Sequence, residues 1–271
     1  MSKKLVLPIS AMVVGYNEAN ILERCLLSLD FCNEIIYTDL GSKDSSLEIA
    51  KKYTTKLYTR NLVPSGEYIQ SEIVQFTNNK WIIFIDPDEE IDQSLADEII
   101  NKFDSIVNDE NLSAVLVPWQ FYFKKKKLIG TIWGENNKKY LLVNKDRFNF
   151  LPITHYGRKP KDGFREIEIE INFNSKNVLH HYWVISYSSF LNKHFRYLKK
   201  EAIDNYNQGV RFIGFRKLFF SPIREFLKSY IQKKGYKDGF IGIFLSLFWA
   251  YYKTKILLDI YFIQKRNQPL K

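Results

Sequence analysis

Short apolar runs alternate with segments of helical periodicity through the first 118 residues. Residues 9–14 form an apolar run closed by Gly15-Tyr16-Asn17-Glu18, the pattern of a strand buried on both faces. Residues 19–29 then bring Ile21, Leu22, Cys25, Leu26 and Leu29 onto one helical face. Residues 34–39 read as a second strand, 45–52 as a short helix, 56–59 as a third strand and 68–77 as a helix. The wholly apolar run 81–85 is a fourth strand, closed by Asp86-Pro87-Asp88-Glu89-Glu90. Asp92 or Ser94 caps a helix to about residue 107, and 114–118 is a fifth strand. This alternation predicts an α/β fold with a mostly parallel sheet flanked by helices.

The rest of the chain is less regular. Residues 120–123 and 128–132 flank a hairpin tip at 124–127, residues 140–143 and 167–173 are further strands, and 150–164 is a loop. The pattern then turns helical over 188–207, over 222–234 with Pro222 in the first turn, and over 238 to about 262. No internal repeat or low-complexity segment interrupts it.

In sheets of this kind ligands bind at the carboxyl ends of strands. The polar groups cluster there: Asn17 and Glu18 after the first strand, Asp39 after the second, Asp86 and Asp88 after the fourth. No glycine-rich dinucleotide or P-loop sequence follows the first strand, so phosphates must be met differently. Two carboxylates two residues apart can turn toward one Mg²⁺ or Mn²⁺, which would bridge the phosphates of a nucleotide diphosphate. Asp-Pro turns are common in their own right. What favours the metal reading is the apolar strand before this one and the acids at neighbouring strand ends.

Residues 9–18, 34–44 and 81–89 resemble the inverting glycosyltransferase family 2, which has the GT-A fold. Within it, His180-His181-Tyr182 and the stretch 233–240 are similar to the lipopolysaccharide core glucosyltransferase branch. The resemblance implies a metal-dependent enzyme using a UDP-sugar, with Tyr16, Asn17 and Glu18 lining the base and ribose end of the donor pocket. Asp39 would hold the nucleoside, and Asp86 and Asp88 would handle ribose, metal and diphosphate. It further implies a GT-A catalytic domain over 1–187, with donor binding in 1–118 and the acceptor side in 119–187, and a helical C-terminal extension over 188–271. Three positions depart from the family pattern: Leu40 replaces a second acid after Asp39, Pro87 replaces a small residue, and His155-Tyr156 stands where relatives often carry His-Glu.

Inversion needs a base at the acceptor hydroxyl. The candidates are His155, Asp162 and Glu166, with Asp162 preferred because Glu166, Glu168 and Glu170 alternate with isoleucines as on any half-exposed strand. Arg158, Lys159 and Lys161 form a basic loop that could grip the diphosphate or an anionic acceptor. His180 and His181 point to opposite faces of a strand, so they do not share a zinc ion; the resemblance implies that one faces the active site.

Composition adds two constraints. Cys25 and Cys32 read as core thiols, which with the lack of a convincing leader before residue 14 points to the cytoplasm. The net charge of +10 is uneven: residues 190–271 carry 17 Lys plus Arg against 5 Asp plus Glu, leaving −2 for the first 189. The apolar run 240–252 is too short to span a bilayer of about 30 Å. Mixed with the surrounding cations and aromatics it fits the anionic inner-membrane surface, where a lipid-linked saccharide acceptor would lie; packing within the chain or a homodimer contact is the alternative. The positive charge lacks the polar stripe of a nucleic-acid-binding surface, so no nucleic acid is expected. A sugar-1-phosphate nucleotidyltransferase is the rival enzyme, but would carry a basic glycine-rich loop after its first strand. A non-catalytic carbohydrate-binding protein would have no use for the acidic strand ends.

Overall fold

The structure, a computed structural model, describes residues 5–63, 66–134, 137–151, 158–172, 176–184 and 186–266. The chain forms two compact units, Met1–Gln120 with Asn136–His181, and Phe121–Glu135 with Tyr182–Lys271.

The first unit is built on strands β1 (Leu7–Gly15), β2 (Cys32–Asp39), β3 (Lys56–Thr59) and β4 (Trp81–Ile85), separated by helices α1 (Ala19–Leu27), α2 (Ser46–Tyr53) and α3 (Gly66–Ile73). β1 pairs in parallel with β2 on one side and β4 on the other, and β2 pairs in parallel with β3. A short strand β5 (Glu89–Ile91) leads into helix α4 (Gln93–Asn108), whose cap is Asp92 accepting from Ser94 N at 2.9 Å. Strand β6 (Leu112–Phe123) runs five residues beyond Pro118, where a stop was expected. Pro118 lacks a donor, but the ladder resumes at once with Trp119 N donating to Asn137 O at 2.8 Å.

After the hairpin strand β7 (Lys126–Lys127), β8 (Lys138–Asn144) lies antiparallel between β4 and β6, so the sheet is mixed. Strand β9 (Phe148–Phe150), just before the expected loop, pairs antiparallel with β10 (Arg158–Pro160) inside it. β11 (Arg165–Glu168) adds to β6, and β12 (Leu179–Val184) pairs with β5 through Leu179, His180 and His181.

The period-two alternation of the strands explains the core. Ile9, Ala11 and Val13 of β1 and Ile83 and Ile85 of β4 meet Leu22 and Leu26 of α1 and Leu95, Ile99 and Phe103 of α4 on one face. Met12, Ile82 and Phe84 turn to the other face and meet Ile69 and Ile73 of α3. Both cysteines are free and buried, as expected, and burial pushes both thiols up. The alternating acids of β11 lie on an exposed edge while Ile169 is buried, so that strand is half-exposed as read.

The second unit contains the β6–β7 hairpin and helices α5 (Tyr187–Asn207), α6 (Phe215–Leu227) and α7 (Phe240–Arg266). The hairpin turn is narrower than expected, with Lys124 left-handed at φ 58°, and residues 128–132 are not a strand. α6 begins seven residues before Pro222, which therefore lies inside the helix and removes the donor that Leu218 O would otherwise receive. α7 is 27 residues long, about 40 Å; within it Lys255 pairs with Asp259, and Lys253 reaches Glu201 of α5. By length and composition it could cross a membrane, yet it packs along α5 and α6 and buries residues from Gly242 to Ile260.

The family-like stretch around Asp238 closes this unit. The buried Asp238 carboxylate accepts from Ile129 N at 2.9 Å and Gly130 N at 2.7 Å. Backbones touch here: a Cβ on Gly242 would lie 1.8 Å from Gly235 O, and one on Gly130 2.0 Å from Lys234 O. Gly242→Ala, otherwise favourable in a helix, is therefore expected to destabilise the protein by about 1–3 kcal/mol, measured by urea unfolding. An unchanged midpoint would refute the close packing.

Candidate active site

The wholly buried strand β4 delivers Asp86 and Asp88 to a turn at its carboxyl end. Glu89 N donates to Asp86 O at 2.9 Å, and Asp86 N returns a bond to Glu89 Oε2 at 2.8 Å, which closes the turn. The Glu89 side chain is fully buried and also accepts from Trp119 Nε1 at 2.7 Å. Lys139, itself only 5% exposed, donates to Glu89 Oε2 at 2.5 Å and to Asp86 Oδ2 at 3.1 Å. The Asp86 side chain remains 44% exposed, so this turn presents an open carboxylate on a buried base.

Asp88 turns the other way. His181 Nε2 lies 3.3 Å from Asp88 Oδ2, and the imidazole stacks on Trp119 with ring centroids 4.9 Å apart and planes at 3°. Register fixes the histidine there, because His181 is paired with Glu89 across β12 and β5. His180 faces away and meets Asp92 Oδ2 at 3.4 Å, so the two histidines diverge as expected. Desolvation, the largest influence, raises the Asp86 carboxyl and Asp88 adds to this, but Lys139, Arg158 and His181 together outweigh them, and the net shift is downward. Burial disfavours the Lys139 ammonium, and Asp86 and Glu89 more than offset this, so its net shift is upward. Burial pushes the Glu89 carboxyl up against the pull of Lys139.

The neighbouring strand ends form a second polar group. Gly15 is in register with Asp39, while Asp86 follows Ile85 on the far side of β1. Two strand spacings, about 10 Å, separate the ends of β2 and β4. Asp39 is 3% exposed; its Oδ2 accepts from Gly41 N and Ser42 N, both at 2.9 Å, and its buried Oδ1 accepts no hydrogen bond among the described residues. Asn17 is left-handed at φ 57°; its N donates to Ser42 Oγ and its Oδ1 accepts from Lys43 N at 2.7 Å. Glu18 N donates to Ser46 Oγ at 2.8 Å, so the loops after β1 and β2 are stitched together. Tyr16 packs half-buried against the Met12 face of the core.

The other expected site residues separate into three groups. Arg158 is 3.9 Å from Glu67 Oε1 and close enough to Asp86 to lower its pKa. Asp162 is not brought to the acidic turn. It occupies an exposed turn in which Lys161 N donates to Arg147 O and Arg165 N to Asn111 O. Those segments lie at the Trp81 end of β4, since Trp81 is paired with Asn144, roughly 16 Å along the strand from Asp86. Glu166 is three strands from β4, about 14 Å laterally, and its Oε2 accepts from Tyr140 Oη at 2.5 Å. His155 lies outside the described residues. Among the described residues no three of His, Cys, Asp and Glu gather as a metal cage.

Residues 10–191 match the family described as glycosyl transferase family 2, about two thirds of the chain. The chain belongs to this family. It is a glycosyltransferase with a GT-A-like sheet and a long helical C-terminal extension. Over 252 residues it is 27% identical to an uncharacterised glycosyltransferase of Rickettsia typhi, covering 90% of this chain and 83% of that one. It is 24% identical over 268 residues to a lipopolysaccharide core biosynthesis glycosyltransferase of Rhizobium meliloti, covering 94% and 92%. A crystal structure of glucosyl-3-phosphoglycerate synthase from Mycobacterium tuberculosis with phosphoglyceric acid is 13% identical, covering 76% of this chain and 81% of that one with a TM-score of 0.49.

The acidic turn of this glycosyltransferase rests on Glu89, Trp119 and Lys139, residues to which sequence reading assigned no role. One signal was available: Lys139 stands two residues from the apolar Leu141 at the start of an apolar strand, and a lysine on an apolar face requires a buried partner.

Proposed function

We propose that the chain is an inverting glycosyltransferase that transfers a hexose, glucose foremost, from a UDP-sugar to a saccharide of the lipopolysaccharide core or a related cell-surface glycan. The observation that carries this reading is the acidic turn itself, where the open Asp86 carboxylate lies beside the Asp88–His181 donor pair. The spare Asp39 oxygen, two strands away, supports a nucleoside contact, because a buried acceptor without a donor suits a ribose hydroxyl or a base N–H. Arg158, near Asp86, supports a contact to the diphosphate. Tyr16 and the Asn17–Glu18 backbone would border the base and ribose. The acceptor class is supported by the Rhizobium meliloti relative, with 24% identity over 94% of this chain.

The donor atoms fit Mg²⁺ or Mn²⁺. His181 Nε2 and Asp88 Oδ2 are 3.3 Å apart, near the roughly 3 Å between adjacent ligands of an octahedral ion with bonds of about 2.1 Å. Such ions are ordinarily held by one or two carboxylates with substrate phosphates completing the shell, so an all-protein cage is not required. Asp88 and His181 would hold the ion beside Asp86, and when bound it would neutralise charge on the leaving diphosphate. Lys139 keeps Asp86 ionised and fixes one of its oxygens. Residues 1–187 are proposed as the catalytic domain and 188–271 as its extension, acting in the cytoplasm, where the two free thiols would stay reduced.

The test is a panel of nucleotide sugars assayed for hydrolysis and transfer. Saturable release of UDP from one of them, abolished by EDTA and restored by Mn²⁺, is the expected result. If no nucleotide sugar binds or turns over, the reading fails.

A further inference from the structure

Helix α6 is inside out. The residues it buries are Ser221 and Glu225, and Ser229 in the turn that follows is buried too. Its apolar residues Phe215, Phe219, Ile223 and Leu227, spaced four apart along one ridge, are exposed, Phe219 to 73%. The seam with α7 is polar: Ser246 Oγ donates to Ser229 Oγ at 2.9 Å, and Trp249 Nε1 donates to Glu225 Oε2 at 3.1 Å. At its start α7 buries the small Gly242 and Ser246 along with Leu245, and exposes Phe240 and Leu247. Between the two helices runs an apolar groove lined by Ile223, Phe226, Leu227, Leu247 and Tyr251. Small and polar side chains between helices, with large apolar ones outside, is the packing of helices whose outer solvent is lipid. Single exposed apolar residues are ordinary, but a contiguous ridge and groove of this size marks a binding surface.

Charge decides what binds there. Residues 211–240 contain eight Lys and Arg and two acids, Glu225 and Asp238, both of them buried. Among residues 211–240 every exposed charge is therefore positive, including Arg216, Lys217, Lys228 and Lys233; the one acid of α7 near the groove, Asp259, is paired with Lys255. A second copy of the chain would set these cations against each other, whereas an anionic lipid surface meets both the apolar ridge and the charge. We propose that the α6–α7 face is a membrane-interface surface, with Phe219, Ile223 and Leu227 entering the headgroup–acyl boundary and the flanking lysines and arginines on anionic headgroups. Binding of this kind needs no sugar donor, so the proposal stands apart from the reading of the active site.

Co-sedimentation of the full chain with vesicles of phosphatidylcholine, with and without phosphatidylglycerol, tests it. Binding is expected to require phosphatidylglycerol, to weaken with salt, and to fall about fivefold for each cation removed in Lys217→Ala and Lys228→Ala. Phe219→Glu with Ile223→Glu should abolish it, and because both positions are exposed the thermal midpoint should not move. The proposal is overturned if no binding occurs at low salt, or if the double glutamate variant binds as well as the parent. It is equally overturned if the face instead forms a dimer in solution that Phe219→Glu dissociates without any vesicle binding.

Discussion

Asp88→Asn is expected to slow sugar transfer about a hundredfold or more while leaving the folded state intact. Asparagine keeps the size of the side chain and can still meet His181 Nε2, now 3.3 Å from the carboxylate. What it removes is the negative charge that the proposed cation would require. His181→Ala should weaken the response to Mn²⁺ in the same direction, with half-saturation moving to higher metal concentration. The measurements are kcat against Mn²⁺ concentration for both variants, and the urea midpoint as a control for folding. A fully active Asp88→Asn protein would remove the acidic turn from the mechanism.

Lys139→Met carries the second large effect, on stability. The Lys139 ammonium is the one cation bonded to the buried Glu89 among the described residues, and it also binds Asp86. Deleting one partner of a buried pair typically costs about 3–5 kcal/mol, because the other charge stays buried without compensation. Adding Glu89→Gln to Lys139→Met should recover part of that loss, since the glutamine carries no charge and its one carbonyl oxygen can still accept from Trp119 Nε1, although the bond from Asp86 N is then given up. The double-mutant cycle in urea reads the coupling directly. Independent, additive losses would show that the pair does not stabilise the turn.

The donor-side elements were legible because each is a local pattern. The run 81–85 is apolar at every position and is found as β4, with both expected acids at its end. The bounds of β3 could likewise be read directly from the sequence. The support beneath the acids was not legible, because Glu89, Trp119 and Lys139 come from β5, β6 and β8 and meet only through strand register, and register also decides which of His180 and His181 on β12 joins them. A one-residue slip in any of these strands would turn the side chain to the opposite face, and a hydrophobicity pattern does not fix the register between distant strands. The place of Asp162 was hidden for the same reason. Its chemistry and its distance in sequence from His155 suited a base, but the β9–β10 pair carries it toward Arg147 and away from Asp86. α6 was misplaced because Pro222 reads as a first-turn residue, which hid the two turns before it.

The Asp238 contact has a consequence for how the protein is made. The Ile129 and Gly130 amides are satisfied by a carboxylate 109 and 108 residues further along the chain. On the ribosome the segment after β7 emerges long before Asp238 does, and during that interval its amides have only water to bond. The second unit therefore cannot complete itself piecemeal from the amino terminus; it must wait for nearly the whole polypeptide. A stop codon anywhere before α7 would leave Leu128 and Trp133 without their enclosure, a species for proteases and chaperones and not a smaller working enzyme.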